Sequence, residues 1–156
     1  MIFVENFVKI LKKNKVDFFT GVPDSILKNL SLYLENFSIK KHIIAANEGA
    51  AVSVGIGYYL SRKKIPCVYF QNSGLGNAIN PLISIAHKEV YSIPLLLIIG
   101  WRGSPNQPDE PQHKAKGKIT KNLLQLLKVK HCVVKSEKDL LKLKNLIKIS
   151  YREKRI

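Results

Sequence analysis

The sequence has few cysteines, few acidic residues and no long hydrophobic run, and each shortage excludes a class of protein. Two cysteines among 156 residues exclude a disulfide-rich secreted scaffold. Cys67 and Cys132 lie far apart in apolar segments, so we predict free thiols in a reducing compartment. The longest apolar run, Ile93 to Ile99, is too short to cross a membrane. The amphipathic N-terminus, with Glu5 near its start, is not a secretory signal, and we expect a cytoplasmic protein.

Acidic residues are scarce relative to basic ones: 11 Asp and Glu stand against 26 Lys and Arg, a formal net charge of +15. Such a charge favours anions, whether nucleic acid, an acidic protein, an anionic membrane or a phosphate-bearing small molecule. The lysines are spread along the chain, so many of them can simply solvate helix faces. No stretch interleaves aromatic residues with Arg as single-strand binders do, and nucleic-acid binding rests on the charge alone.

Short apolar runs alternate with segments of helical periodicity. Strands are predicted at Val16–Pro23, His42–Ala46, Ile65–Gln71, Ile93–Gly100 and His131–Val134. Helices are predicted around 3–11, 26–34, 47–61, 78–87, 120–127 and 137–150. Because each strand is a continuous apolar run, both faces of the sheet should be covered. We predict an α/β fold, an open doubly wound parallel sheet with helices on both faces, with residues 1–156 forming one domain.

Ligands of such folds lie beyond the carboxyl ends of the strands. Four strand ends carry uncommon residues and together define a strand-end rim: Gly21–Ser25, Asn47–Gly49, Gln71–Gly74 and Gly100–Gly103. Asp24 or Ser25 can equally cap the helix that follows, so neither is functional by position alone.

Glu48 is a single carboxylate within small and apolar residues, "IIAANEGAAV". Ionised and unpaired in such a place it would cost several kcal/mol, so it must be exposed, paired or held for chemistry. It can also be no more than a favourable charge at a helix N-terminus. However, Gly49, Gly55 and Gly57 lower helix propensity and form a small-residue face that another helix or a flat ligand could approach.

Two further segments have a structural and a functional interpretation. "NSGLGN" lacks the spacing of a dinucleotide fingerprint, and a tight turn with positive φ at Gly74 or Gly76 explains it equally well. Pro81 suits the first turn of the next helix. His113 falls in a Pro-rich loop from Trp101 to His113, where exposure is commoner than catalysis. No residues stand at metal-ligand spacing, so no metal site is predicted in this chain.

Four segments in order carry a family resemblance: "TGVPDSILKNL", "AANEGAAVSVGIGYYL", "VYFQNSGLGNAINPLISIAHKEVYSIPLLLIIGWRG" and "DEPQHKAKGKIT". They resemble the N-terminal, pyrimidine-binding domain of phosphonopyruvate decarboxylases and, a little less closely, the sulfopyruvate decarboxylase alpha subunit. Both are thiamine-diphosphate enzymes. The resemblance runs from about Val16 to about Leu127.

The resemblance implies roles for the rim residues. Glu48 would hydrogen-bond N1′ of the cofactor's aminopyrimidine and share a proton with it in a poorly solvated pocket. The implied catalytic residues are Glu48 and His113. The implied cofactor-binding residues are Glu48, Gln71, Asn72, Ser73 and Gly74. The implied contacts to an anionic substrate are Asp24, Ser25, Asn72, Arg102, His113 and Lys114, since Arg offers a forked donor and Lys a point charge.

The resemblance also implies a second polypeptide. In the family a Gly-Asp-Gly segment holds the diphosphate through Mg²⁺, and this sequence contains none. The sequence therefore predicts the alpha subunit of a split carboxy-lyase that converts phosphonopyruvate to phosphonoacetaldehyde and CO2. A separate beta subunit would bind Mg²⁺ and the diphosphate within a hetero-oligomer. Sulfopyruvate is the alternative substrate, and a non-catalytic, partner-binding pyrimidine domain is the alternative role.

Overall fold

Strands and helices alternate along the chain, as the apolar patterns predict. The computed structural model describes residues 2–154 and 156. Within these ranges one sheet contains β1 (Phe19–Gly21), β2 (His42–Ile44), β3 (Cys67–Gln71) and β4 (Leu96–Gly100). All neighbouring strands are parallel, in the order β2-β1-β3-β4. The predicted parallel sheet is confirmed, and its strand order reverses between β1 and β3.

Helices cover both faces of the sheet, as predicted. They are α1 (Val4–Lys13), α2 (Lys28–Leu34), α3 (Glu48–Arg62), α4 (Leu75–Pro81), α5 (Pro111–Leu126) and α6 (Leu140–Glu153). Side chains of β3 point alternately to the two faces. Val68 and Phe70 belong to an apolar cluster with α3, α4 and α5. Cys67 and Tyr69 belong to a second cluster with α1, α2 and α6.

Two predicted strands differ in the structure. β2 pairs only over His42–Ile44, and because it lies at the edge of the sheet the side chain of Ile44 is 56% exposed rather than buried. The segment His131–Val134 forms no strand. An apolar cavity of about 470 Å³ lies between it and β4, lined by Leu97, Ile99 and Val133 among others. An apolar, β-branched run has the same side-chain pattern whether or not a neighbouring edge is within hydrogen-bond reach, so the pattern alone overpredicted pairing.

The turn after β3 is tighter than predicted. A 3₁₀ turn (Asn72–Gly74) leads directly into α4, and a π-helical turn (Leu82–Ala86) follows it. Gly74 has φ −82°, and Gly103 is the glycine with positive φ among the described residues, so the prediction for Gly74 or Gly76 is wrong. Pro81 ends α4 instead of beginning it. Proline lacks the N–H that would continue the α-helical bonding, which fits the change to a wider turn at this point.

The helix after β4 begins earlier than predicted. α5 starts at Pro111, so the loop spans residues 101–110 and His113 lies in the first helical turn, not in the loop. Proline suits this position, because its φ is already helical and its missing N–H would be unpaired anyway. The first half of α5 lacks apolar periodicity, which is why the pattern revealed only Thr120 onward.

Cys67 and Cys132 are both free, as predicted, and Cys67 is fully buried. In the parts of the chain that the structure describes, every helix is too short or too polar to traverse a bilayer.

Candidate active site

The carboxyl ends of the four strands meet at one edge of the sheet, because each neighbouring pair is parallel. Gly21 of β1 is in register with Tyr69 of β3, and Gln71 of β3 with Gly100 of β4. The segments that follow the strands therefore start side by side. The structure thus brings together the strand-end rim that the sequence predicts.

Glu48 is the first residue of α3, which begins where the side chain of Asn47 accepts a hydrogen bond from the backbone N–H of Ala50 (2.9 Å). The half-buried carboxylate of Glu48 accepts a hydrogen bond at Oε2 from Nδ2 of Asn77 (2.9 Å). Oε1 lies against Gly74, where an added Cβ would overlap it. It forms no hydrogen bond to the described residues, so one carboxylate oxygen is available to a ligand.

The small-residue face of α3 is used partly within the chain. A Cβ added at Gly49 would lie 2.9 Å from the carbonyl oxygen of Asn77, and one added at Gly55 would lie 2.9 Å from Cγ2 of Val68. The expected close approach of another helix is therefore confirmed at Gly49, where that helix is α4. Ser53 and Gly57 are exposed and remain open to an external partner.

Asp24 occupies the loop between β1 and α2. Its Oδ1 accepts hydrogen bonds from the backbone N–H groups of Ile26 (2.6 Å) and Leu27 (3.1 Å), so Asp24, not Ser25, organises this turn. Its Oδ2 is buried and has no hydrogen-bond partner among residues 2–154 and 156. Burial raises the pKa of Asp24 above its ordinary value, and the backbone hydrogen bonds and Arg102 only partly oppose this.

Arg102, just after β4, is bound by its own chain. Its Nε and Nη2 donate to Oδ2 and Oδ1 of Asp109 (2.9 and 2.6 Å), and its Nη1 donates to the hydroxyl of Ser25 (3.1 Å). The guanidinium holds the pKa of the Asp109 carboxyl well below its usual range, and Asp109 raises the pKa of Arg102 in return. Arg102 was expected from the sequence, whereas Asp109 was not, because it lies in an irregular loop with no periodic signal.

Asn72 is a buried link between β3, β4 and α5. Its amide donates to the carbonyl of Arg102 (3.0 Å) and the hydroxyl of Thr120 (2.9 Å), and its Oδ1 accepts from the N–H of Arg102 (3.1 Å). Both amide protons are therefore taken within the protein. Next to it, Nε2 of Gln71 donates to the hydroxyl of Ser73 (2.8 Å), which orients both half-buried side chains.

His113 is held against the loop that precedes its helix. Its Nδ1 is buried and has no hydrogen-bond partner in the part of the chain that the structure describes. A Cβ added at Gly103 (φ +64°) would overlap the carbonyl of His113, and one added at Gly117 would overlap the carbonyl of Gly103. Nε1 of Trp101 donates to the carbonyl of Gly117 (3.0 Å). Lys114, the next residue, is exposed.

Three rim side chains therefore retain polar atoms that the protein does not use: Oε1 of Glu48, Oδ2 of Asp24 and Nδ1 of His113. Carboxyl and imidazole groups can hold and transfer protons. Among residues 2–154 and 156, no group of three or more His, Cys, Asp or Glu side chains could hold a metal ion. The rim is suited to hydrogen bonding and proton exchange with an organic ligand.

The family of the chain follows from comparison with known proteins. Residues 1–129 match the family "Thiamine pyrophosphate enzyme, N-terminal TPP binding domain". The chain belongs to this family. The thiamine diphosphate-dependent 4-hydroxybenzoylformate decarboxylase of Rhodococcus jostii has the same fold over 95% of this chain and 27% of its own, with a TM-score of 0.65 at 20% identity.

Two curated relatives are similar in sequence. A phosphonopyruvate decarboxylase of Streptomyces viridochromogenes is 37% identical over 119 residues, which are 76% of this chain and 29% of that protein. The sulfopyruvate decarboxylase subunit alpha of Methanococcus maripaludis is 34% identical over 139 residues, which are 89% of this chain and 81% of that subunit. The chain thus spans less than a third of the first relative and most of the second.

Proposed function

We propose that this chain is the pyrimidine-binding alpha subunit of a two-subunit, thiamine-diphosphate-dependent 2-oxoacid decarboxylase. Its substrate is phosphonopyruvate, and its products are phosphonoacetaldehyde and CO2. The observation that carries the proposal is the arrangement of Glu48, Asn77 and Gly74 in a chain of the thiamine-pyrophosphate family. Resemblance to phosphonopyruvate decarboxylases supports the substrate.

The residues around Glu48 fit the aminopyrimidine of this cofactor. Asn77 holds Oε2, whereas Oε1, which lies against Gly74, has no hydrogen-bond partner among the described residues, so the carboxyl group can hydrogen-bond and share a proton with a ring nitrogen. Gly74 contacts Glu48 directly, so the segment Gln71 to Gly74 adjoins the proposed place of the ring. Thiamine diphosphate, when bound, accepts the electron pair that remains on the substrate when CO2 leaves.

Asp24, Ser25, His113 and Lys114 form the substrate side of the proposed site. Burial raises the pKa of Asp24, so this carboxyl retains its proton to higher pH than an ordinary one does, and its Oδ2 has no partner among the described residues. His113 is the second proton carrier, through its unpartnered Nδ1. Lys114 and the net charge of +15 favour a substrate that carries several negative charges.

The other half of the proposed site comes from a beta subunit that holds the diphosphate through Mg²⁺ within a hetero-oligomer. The name "subunit alpha" of the Methanococcus relative, which this chain covers over 81% of its length, supports such a division. The exposed part of α3 around Ser53 and Gly57 is the proposed contact with that subunit. The free thiols Cys67 and Cys132 favour a cytoplasmic location.

Sulfopyruvate is the second candidate substrate, because the sulfopyruvate decarboxylase subunit is the relative of comparable length. A sulfonate carries one negative charge, whereas a phosphonate can carry two. Activity with both substrates, measured over the pH range in which the phosphonate gains its second negative charge, would distinguish the two assignments.

The test is CO2 release from phosphonopyruvate with thiamine diphosphate and Mg²⁺. It is measured for this chain alone and for this chain co-expressed with a candidate for the diphosphate-binding beta subunit. We expect activity only in the pair. Glu48→Gln in the pair should lower kcat by about 100-fold or more, as loss of a proton-transferring group does. Glu89→Gln changes an exposed carboxylate paired with Lys128 and is the matched control. Inactivity of the pair with both substrates would contradict the proposal, and full activity of Glu48→Gln would remove the assigned role.

A further inference from the structure

We propose that Asp109 and Arg102 form a positioning pair that holds the first turn of α5, and with it His113, over the ends of the strands. The role in catalysis rests on the proposed function, whereas the effect on the position of the helix does not. Asp109 is a further residue of the site, and Arg102 acts through it instead of binding the substrate anion.

The hydrogen bonds of Arg102 leave little of its guanidinium for a substrate. Two nitrogens form a fork with the carboxylate of Asp109, and a third donates to Ser25 in the loop after β1. The side chains of Arg102 and Asp109 are only 24% and 11% exposed. A bidentate Arg–carboxylate pair in such a place has a defined geometry as well as a favourable energy. The side chain of Arg102 therefore connects its own loop, through Asp109, to the loop after β1, through Ser25.

Asp109 links the two ends of the loop between β4 and α5. Its Oδ2 accepts the backbone N–H of Gly103 (2.8 Å), and its Oδ1 accepts that of Glu110 (2.9 Å). Gly103 directly follows Arg102, and Glu110 directly precedes α5. One carboxylate thus joins the end of the strand to the start of the helix.

The link through Asp109 fixes Gly103, which packs directly against the backbone of α5 near His113. Gly103 lies so close to the carbonyl of His113 that no Cβ fits between them, and its carbonyl lies equally close to Gly117. A shift of Gly103 therefore has to displace the first two turns of α5. Since a displacement of about 1 Å can cost about 100-fold in rate, the pair sets how closely His113 matches the geometry that the reaction needs.

The first test is amide hydrogen exchange of residues 112–117 in the full chain, without cofactor or partner. Asp109→Asn and Arg102→Gln should each increase exchange about 10-fold or more in this segment. Exchange in the double variant should be no faster than in either single variant, because both substitutions break the same Arg102–Asp109 link. Arg102→Lys, which keeps the charge but not the fork, should behave like Arg102→Gln. Glu89→Gln with Lys128→Gln removes an exposed ion pair and is the control, expected to leave the segment unchanged.

The second test is steady-state kinetics of the assembled enzyme. A positioning pair predicts that Asp109→Asn and Arg102→Gln lower kcat by similar factors, about 10- to 100-fold, with little change in KM. An anion-binding Arg102 predicts instead a large rise in KM for Arg102→Gln and an unchanged or lower KM for Asp109→Asn, which frees the guanidinium. That second pattern, or unchanged exchange in both single variants, would overturn the proposal. If the wild-type chain assembled with its partner subunit lacks decarboxylase activity, the exchange measurement alone tests the positioning role of Asp109 and Arg102. Failure of the proposed function and failure of this inference are therefore distinguishable.

Discussion

The carboxylate of Glu48 and the backbone of Gly74 lie so close that no side chain could be added to the glycine without moving the glutamate. Gly74 has φ −82° and ψ −3°, which any residue can adopt, so its backbone conformation does not require glycine. The reason for glycine at this position is the space that Glu48 occupies.

Gly74→Ala therefore tests the site without destroying the fold. The overlapping atoms belong to the flexible end of Glu48, which can rotate away, so we expect a change in unfolding free energy of less than about 1 kcal/mol. We expect loss of thiamine-diphosphate-dependent activity, because the carboxylate no longer faces the ring. Gly76→Ala, two residues further on in α4, where an added Cβ would enter open space, is the control. Equal activity in both variants would contradict the role given to this contact.

Replacement of Asn72 by Leu should destabilise the chain by about 2–4 kcal/mol. The backbone N–H and carbonyl of Arg102 would lose their partner in a buried place, and each unsatisfied group costs about 1–3 kcal/mol. The hydroxyl of Thr120 would lose one donor but keep its bond to the carbonyl of Lys116. Urea unfolding of the full chain measures this. Asn80→Leu alters an exposed asparagine and should change the unfolding free energy by less than about 0.5 kcal/mol. A similar small change at Asn72 would mean that its hydrogen bonds are replaceable by water.

Gly21→Ala should be among the most damaging single substitutions. A Cβ at Gly21 would overlap both the carbonyl oxygen and the ring of Tyr69, and the backbone of a central strand cannot move aside. We expect a loss of roughly 3 kcal/mol, the upper end of overpacking effects. Gly57→Ala, which meets no atom outside its own helix within 4 Å, should instead be neutral or stabilising by up to about 1 kcal/mol. Thermal unfolding of the two variants provides the comparison.

The buried pair His42 and Tyr69 should make stability depend on pH. Nε2 of His42 lies 2.8 Å from the hydroxyl of Tyr69. Burial lowers the pKa of His42 and raises the pKa of Tyr69 to about 12. Below pH 6.5 the unfolded chain binds a proton at His42 more readily than the folded chain does. The stability contributed by neutral His42 is therefore present above pH 6.5 and is lost as the pH falls through and below that value.

His42→Gln retains a polar partner for Tyr69 but cannot titrate. We expect its unfolding free energy to fall less than that of wild type between pH 7 and pH 5. Parallel pH profiles for wild type and His42→Gln would contradict the assignment.

Much of the candidate site was predictable because its signals are local. Glu48 at a helix start among small residues, and glycine-bearing segments after apolar runs, are visible within ten residues of sequence. Asn77, Asp109 and Thr120 were missed, because each acts on a partner that the sequence pattern does not indicate: Asn77 on Glu48, Asp109 on Arg102, and Thr120 on Asn72. The helical position of His113 was missed for a related reason, since the first half of α5 has no apolar stripe.

The sequence by itself determined the alternation of strands and helices, the burial of the sheet on both faces and the location of the rim. Apolar periodicity reports which side of each element avoids water, and parallel connections force the strand ends to one edge. Tertiary structure alone decided that His131–Val134 forms no strand, that Arg102 is occupied by Asp109, and which oxygens of Glu48 and Asp24 have no hydrogen-bond partner among the described residues. These depend on the distances between groups far apart in the chain, which the packing of the helices sets and side-chain pattern does not encode.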